Sequence, residues 1–252
     1  MNLSANLHGQ RALVTGASSG GFGRYFAQLL AQSGAHVTVT ARRLEPLDAL
    51  VEEIIASGGS ADAAQLDVAQ LDNVKEVLRT RDPFDIVVNN AGVDVAKPIL
   101  EQTEQDYDYV MGVNLKGVWN IGVETARAMQ QSQKRGTIIN IASITGMHPI
   151  NRLTPYATSK SAVIHMTKQM ALELAPFGIR VNAISPGYFE SDMTRDYFET
   201  DRGKETIERI PMRRLGDYES LGGVLLLLAS DASAFMTGSV IAVDGGHLIN
   251  SL

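Results

Sequence analysis

The chain has no cysteine in its 252 residues. This excludes disulfides, thiolate nucleophiles and zinc–cysteine clusters, and it fits a reducing cytosol. Redox chemistry, if there is any, has to come from a bound cofactor. Long hydrophobic runs are missing as well: the longest compact apolar stretch, Val224 to Ala229, falls far short of the ~20 residues that cross a bilayer. Met1 to Gln10 carry neither a basic head with an apolar stretch nor a small-residue cleavage site, so no export signal is expected. Positive charge is not in excess, because 22 Lys+Arg stand against 28 Asp+Glu and the net charge is -6. The basic residues are scattered, so neither nucleic acid nor a membrane is expected as a partner, and the protein is expected to be cytoplasmic.

What the chain does have is alternation. Short β-branched or apolar runs (Ala12–Val14, His36–Thr40, Ala61–Leu66, Ile86–Asn89, Thr137–Ile141, Ile179–Ile184, Val240–Val243) are separated by amphipathic stretches. These stretches are Arg24–Gln32, Glu45–Ala56, Leu71–Arg79, Thr103–Gln131, Pro155–Ala175, Asp192–Arg209 and Asp217–Ala229. The pattern predicts an α/β fold: a doubly wound, mostly parallel seven-stranded sheet with helices on both faces. Gly34, Gly58–Gly59 and Gly178 follow helical runs, where a left-handed terminal residue is needed. No linker or repeat interrupts the pattern, so residues 1–252 are expected to form one domain.

Ligands of such sheets bind at the carboxyl ends of the strands. There the first strand runs into Thr15-Gly-Ala-Ser-Ser-Gly-Gly-Phe-Gly23 and then a helix. Glycines let backbone N–H groups approach a pyrophosphate, and the helix N-terminus favours its charge. This makes Gly16, Ser18, Ser19, Gly20, Gly21, Phe22 and Gly23 candidate dinucleotide contacts. The second strand ends in Thr40-Ala-Arg-Arg43 with no acidic residue before Glu45. A carboxylate there would favour NAD, whereas an arginine favours the 2′-phosphate of NADP. Arg42, with Arg43 second, points to NADP(H), with NAD(H) possible.

Asn140-Ile-Ala-Ser143 closes a strand, and Tyr156-Ala-Thr-Ser-Lys160 opens a helix. Four residues apart on a helix, Tyr156 and Lys160 share a face, and an ammonium beside a phenol favours the phenolate. Bringing a tyrosine from a pKa of about 10 to near neutrality takes roughly 4 kcal/mol, within the reach of cationic neighbours in a partly desolvated site. Ser143 can donate to a substrate oxygen while Tyr156 transfers the proton and a nicotinamide handles hydride. With a tyrosine available, His148 and His165 are read as structural or exposed.

These motifs, with Asp67-Val68, Asn89-Asn-Ala-Gly92, Asn114, Pro186-Gly187 and Val243-Asp-Gly-Gly246, resemble the short-chain dehydrogenase/reductase family over nearly the whole chain. The resemblance implies a Rossmann-type fold and an NAD(P)(H)-dependent oxidoreductase acting on a ketone or secondary alcohol. In that reading Ser143 polarises the carbonyl and Tyr156 is the acid/base. Lys160 lowers the tyrosine pKa and holds the nicotinamide ribose, and Asn114 holds a water leading from Lys160 to solvent. Asp67 and Val68 would meet the adenine, Asn90, Ala91 and Gly92 the adenosine ribose side, and Pro186, Gly187 and Phe189 the nicotinamide. The family also implies a lid over the substrate at about 188–212 and pairing of subunits into a homotetramer through Thr103–Gln131 and Pro155–Ala175. No metal site is implied.

The chain departs from the family in the glycine turn, which has one residue too many between Gly20 and Gly23. Either Gly21 is inserted, or Gly21 takes the middle glycine's place and the extra residue lies earlier. A bulged loop that still binds the cofactor is expected. Two other functions compete. A 3-oxoacyl-thioester reductase serving an acyl carrier protein would use a basic rim, for which Arg152, Arg195, Arg202, Arg209, Arg213 and Arg214 are candidates. A non-catalytic dinucleotide sensor would keep the fold without turnover. Met147, His148, Pro149, Leu153, Tyr188, Phe189, Met193, Tyr197 and Phe198 suggest a moderately apolar substrate pocket.

Overall fold

A computed structural model describes residues 5–190 and 195–249. The β-branched and small apolar runs form β1 (Arg11–Thr15), β2 (His36–Ala41), β3 (Ser60–Gln65), β4 (Ile86–Asn89), β5 (Gly136–Ile141), β6 (Ile179–Pro186) and β7 (Val240–Val243). The amphipathic stretches form α1 (Phe22–Gln32), α2 (Glu45–Ala56), α3 (Leu71–Arg79), α4 (Glu104–Met111), α5 (Val118–Gln131), α6 (Thr154–Leu174), α7 (Arg195–Glu199), α8 (Asp201–Arg209) and α9 (Glu219–Ala229). All seven strands are parallel, in the order β3-β2-β1-β4-β5-β6-β7. The order reverses between β1 and β4, so the crevice for a ligand opens where β1 runs into the glycine turn and β4 into Asn89–Gly92.

Both faces of the sheet are buried, as its near-continuous apolar strands require. Side chains alternate across it. Ala12, Val14, Ile86, Val88, Ile139 and Ile141 pack with α1, α2 and α9, and Leu13, Val87 and Ile138 pack with α3, α5 and α6. Gly34, Gly58 and Gly178 take φ values of +99°, +85° and +73° after their helices, as the sequence predicts. No described helix is long and apolar enough to cross a membrane.

Two helices depart from the sequence reading. Thr103 is the cap of α4, in a capping box with Asp106, and the helix then slips into one π turn, Gly112–Gly117, before continuing as α5. The slip carries the fully buried Asn114, whose amide pairs with the backbone of Val93 on both sides. The expected single helix Asp192–Arg209 is broken. The Thr200 hydroxyl accepts from Gly203 N at 3.1 Å and starts α8 afresh, because a threonine can satisfy an orphan donor and end one helix by beginning another. Asp192, Met193 and Thr194 lie outside the described residues.

The first turn holds α1 tightly against the sheet. Gly16, at φ +71°, lies against Ala91, where a Cβ would meet the Ala91 Cα at 2.7 Å. Gly16 N and Ala17 N both donate to Thr40 O, tying the turn to the end of β2. Gly23 packs on the same spot, where a Cβ would come within 2.5 Å of Gly16 O and 2.6 Å of the Asn90 Nδ2. Gly21, the cap of α1, has φ of -90° and only the Ser19 Oγ within 3.6 Å of a Cβ. The helix thus opens as Gly21-Phe22-Gly23, with one residue between the two glycines as in the family, and the extra residue lies in the loop 17–20. The steric demand falls on Gly16 and Gly23. Gly23→Ala should destabilise the fold by about 2 kcal/mol or more and lower the thermal midpoint by roughly 4–8 °C. Gly21→Ala should stay within about 0.5 kcal/mol of wild type; equal losses for the two would contradict this assignment.

Candidate active site

A buried chain of amides fixes α6 against the sheet. The Asn89 Nδ2 donates to the Asn140 Oδ1, the Asn140 Nδ2 to the Thr167 Oγ1, and the Thr167 hydroxyl to Val163 O. All three side chains are buried, so each bond sits in a poorly screened interior where register errors leave polar groups unpaired. The consequence is that the start of α6, carrying Tyr156 and Lys160, is held over the end of β5, where Ser143 stands.

Ser143 begins a short 3₁₀ turn, Ile144–Gly146. Its Oγ accepts from Thr145 N at 3.1 Å and from the Thr145 Oγ1 at 3.0 Å. A hydroxyl that accepts twice keeps its own proton to donate. Lys160 is 4% exposed, and its Nζ donates to Ile141 O at 2.8 Å and lies 5.5 Å from the centroid of the Tyr156 ring. Burial lowers its pKa to about 8. The Asn114 amide bridges Val93 and the Ser159 hydroxyl, and Ser159 donates in turn to Tyr156 O. Asn114 is therefore a clamp joining the π turn, the loop after β4 and α6.

Tyr156 departs from the sequence expectation. Its pKa is raised from the ordinary tyrosine value: burial dominates, the facing Ser143 hydroxyl pulls it down, and the carboxylate of Asp94 pushes it up. The chain by itself holds a protonated phenol rather than a phenolate, because desolvation of the ring outweighs the ammonium expected to favour the ionised form.

The cradle at the switch point fits a dinucleotide. Thr15 and Asn90 lock β1 to β4: Asn90 N and Ala91 N donate to the Thr15 Oγ1, and the Asn90 Nδ2 donates to Thr15 O and Gly16 O. The α1 N-terminus has no side-chain cap and no acidic residue in its first turn, so its positive end is unneutralised. Added Cβ atoms would fill the cradle at Gly16, Gly23 and Gly187, the last against the Asp244 Cα at 2.7 Å. Arg42 is exposed just past β2, and no described carboxylate pairs with it. Val68 is buried against Gly117 and its carbonyl accepts from Asn120, while Asp67 Oδ1 accepts from Ala69 N. A Cβ at Gly92 would lie 3.6 Å from both the Asn114 Oδ1 and the Lys160 Nζ, which brings cradle and proton-handling groups together. Gly187, just past Pro186 at the end of β6, donates to Val243 O.

Comparison with known proteins places this geometry. A family model described as enoyl-(acyl carrier protein) reductase matches residues 16–247. The 3-oxoacyl-[acyl-carrier-protein] reductase FabG of Thermotoga maritima is 40% identical, with 96% of this chain and 99% of that protein covered. A short-chain type dehydrogenase/reductase from Mycobacterium marinum superposes with a TM-score of 0.91 at 39% identity, covering 96% of each chain. A gluconate 5-dehydrogenase from Burkholderia cenocepacia, solved with NADP and tartrate, gives 0.92 at 35% identity, covering 98% of each. The chain is a short-chain dehydrogenase/reductase. It is an oxidoreductase acting on alcohol and ketone groups.

In this short-chain dehydrogenase the ring of Phe189, expected on the nicotinamide side, packs against Phe22 of α1. It is 6% exposed, stacked edge-on to Phe22 at 5.2 Å, while its backbone bridges to Gly216. Phe198 is 7% exposed and packs on Tyr188. Both rings are packed against other aromatic side chains of the protein. Trp119 is 53% exposed and not in the core. Thr145 and Ser159 were not singled out from sequence; the only signal was a hydroxyl two or three residues from a catalytic candidate, a spacing at which such side chains bond local backbone.

Lys160 is a buried cation bonded to the carbonyl of Ile141, and burial is what lowers its pKa. With its pKa moved from 10.5 to about 8, keeping it charged at neutral pH costs on the order of 3 kcal/mol. The sign follows: the unfolded chain binds the extra proton between about pH 8 and 10.5, so this cost is full below that window and vanishes above it. Lys160→Met should abolish activity yet raise stability at neutral pH by about 2 kcal/mol, after a lost hydrogen bond of about 1 kcal/mol. Thermal scans should show the gain fading at alkaline pH; a loss of stability at both would contradict the cost assigned to Lys160.

Proposed function

We propose that this enzyme works chiefly as an NADP(H)-dependent carbonyl reductase, with Tyr156 as proton donor. The observation that carries the reading is the pairing of a phenol held protonated by burial with a serine whose own proton is free to donate. Ser143 donates to the substrate carbonyl oxygen and polarises it. Tyr156 gives its proton to the same oxygen as the carbonyl becomes an alcohol. The phenolate left behind lies over the Lys160 ammonium, still mostly protonated at neutral pH with its pKa of about 8. The bound nicotinamide coenzyme supplies the hydride in reduction and takes it in the reverse direction. A phenol that keeps its proton at neutral pH suits reduction, since a general acid must be loaded before the step.

Gly16, Ser18, Ser19, Gly20, Gly21, Phe22 and Gly23 form the pyrophosphate side of the coenzyme site, with Asp67, Val68, Asn90, Ala91 and Gly92 on the adenosine side and Pro186, Gly187 and Phe189 on the nicotinamide side. Arg42 supports NADP(H) over NAD(H), as does the NADP in the Burkholderia relative. α7 and α8 act as the lid, and the enzyme works in the cytoplasm. A homotetramer is supported by the face where α4, the π turn, α5 and α6 meet, and where Met111, Leu115, Trp119 and Met166 line an apolar cleft of about 600 Å³. A second reading, reduction of 3-oxoacyl thioesters, draws on the Thermotoga relative and on exposed Arg152, Arg202, Arg209 and Arg213. Arg214, also exposed, is neutralised by Asp217 at 3.7 Å.

NADPH oxidation against a panel of ketones tests the mechanism. Tyr156→Phe should lower kcat about 100-fold or more while leaving NADPH binding unchanged, and equal rates for the two proteins would remove it. NADPH binding without turnover of any ketone would mean a sensor. Arg42→Ala should weaken NADPH about tenfold and leave NADH nearly unaffected; an equal effect on both coenzymes would refute the NADP preference.

A further inference from the structure

The chain leaves β6 at Pro186 and comes back alongside itself at Gly216, and the two ends of that excursion are clipped together. Gly216 N donates to Tyr188 O at 2.9 Å, Glu190 N donates to Gly216 O at 3.3 Å, and Phe189 and Gly216 form a parallel bridge. The clip is tight, because a Cβ on Gly216 would come within 2.5 Å of the Phe189 Cε1. Gly187 is held from the other side: its N–H donates to Val243 O at 2.9 Å, and a Cβ there would meet the Asp244 Cα at 2.7 Å. The stretch 187–190, which carries the nicotinamide side of the coenzyme site, is therefore fixed at Gly187 by the end of β7 and at Phe189 by the clip.

Aromatic rings join this clip to α1. Phe22 is the first residue of that helix, directly after the Gly21 cap. Its ring stacks on Phe26 with centroids 6.0 Å apart and planes 28° apart, a spacing of four residues at which helix side chains meet. So oriented, Phe22 meets Phe189 edge-on at 5.2 Å and 86°, and Tyr218, two residues past Gly216, at 5.5 Å and 80°. Tyr25 meets the same Tyr218 ring at 6.0 Å. Edge-on contacts of this kind are the ones that aromatic quadrupoles favour. One ring of α1 thus touches both sides of the clip, the outgoing chain through Phe189 and the returning chain through Tyr218.

The backbone of Phe22 has a different task. α1 has no side-chain cap, and Tyr25 N is the N–H that bonds back to Gly21 O, so the N–H groups of 22–24 have no acceptor within the helix and stand at its positive end. Phe22 therefore offers its N–H to the pyrophosphate side and its ring to the clip. We infer that Phe22 is a positioning residue for the nicotinamide end of the coenzyme: its ring, acting through Phe189, sets where the stretch 187–190 stands relative to the α1 N-terminus, and so registers the two ends of one dinucleotide against each other. The inference rests on the coenzyme site proposed above and adds the residue that ties its two ends together. Removing the ring leaves the amide in place, so the pyrophosphate keeps its contacts while the nicotinamide loses the register of its wall.

The test is a binding titration and does not need turnover. Calorimetry compares NADPH with 2′-phospho-ADP-ribose, the coenzyme without its nicotinamide, so that the ratio of the two affinities reads the nicotinamide end alone. Wild type should bind NADPH at least about tenfold more tightly than the truncated probe. Phe22→Ala should cut that preference at least about threefold while holding the truncated probe within about twofold of wild type, and Phe22→Leu should fall between the two. Phe189→Ala should cause the same loss, and the double variant no more than either single one, as expected of residues that act through each other. Phe26→Leu, a change in the same aromatic cluster that leaves the contact with Phe189 intact, should keep the preference. A preference that both Phe22 variants leave unchanged, losses from Phe22 and Phe189 that simply multiply, or an equal loss in Phe26→Leu would overturn the positioning role and leave the coenzyme site standing. Binding of neither probe by wild type would sink the coenzyme site, and this inference with it.

Discussion

The site depends on a buried charge that has no ion-pair partner among the described residues. Lys160 has to sit in the interior with a backbone carbonyl as its hydrogen-bond acceptor, and everything around it serves to hold it there. The ammonium cannot relax toward water because α6 is pinned to β5 through the Asn89–Asn140–Thr167 chain. It cannot slide along the helix because Ser159, one residue before it, is bonded both to Asn114 and to Tyr156 O. A buried cation of this kind weakens the fold at neutral pH, which is the usual sign of a group retained for chemistry rather than stability. The phenol above it experiences the same dry environment with the opposite consequence: burial lowers the acidity of Tyr156 and lowers the basicity of Lys160.

The coenzyme cradle is linked to this arrangement mechanically. Thr15 and Asn90 knit β1 to β4, Gly23 presses α1 onto Gly16, and Gly92 brings the same loop to within contact of Asn114 and Lys160. A shift at the glycine turn would therefore be felt at the proton-handling groups through the loop 90–93. The extra residue of the turn falls in 17–20, ahead of the helix, and not at the Gly21-Phe22-Gly23 start where α1 meets the sheet.

Much of this was legible in the sequence, and the exceptions have physical reasons. Strands stand out because sheets buried on both faces demand continuous apolar runs, and the positive-φ glycines mark where helices stop. The π turn was missed because a single added residue is one local phase step, which a stripe judged over the whole of Thr103–Gln131 averages out. The break at Thr200 is hidden because a cap residue is also acceptable inside a helix. Ser143, Tyr156 and Lys160 were found through residue type and spacing, whereas Thr145 and Ser159 matter only through bonds that folding creates. The direction of the Tyr156 shift could not be read from a Tyr-x-x-x-Lys pair, since it is set by how much of the ring the tertiary fold covers. The packing of Phe189 on Phe22 was hidden for a similar reason, since the partner comes from a distant element.

The chain by itself keeps Tyr156 as a loaded acid above a lysine that is mostly, but not wholly, protonated at neutral pH. The most direct measurement is an NMR titration of the coenzyme-free protein labelled with ¹³Cζ-tyrosine and ¹⁵Nζ-lysine, using Tyr156→Phe and Lys160→Met to assign the signals. The account predicts that the Tyr156 resonance stays that of a neutral phenol beyond the ordinary tyrosine value of 10.0 and that Lys160 titrates at about 8. A Tyr156 signal already that of a phenolate near neutral pH, or a Lys160 titrating at its ordinary 10.5, would contradict it.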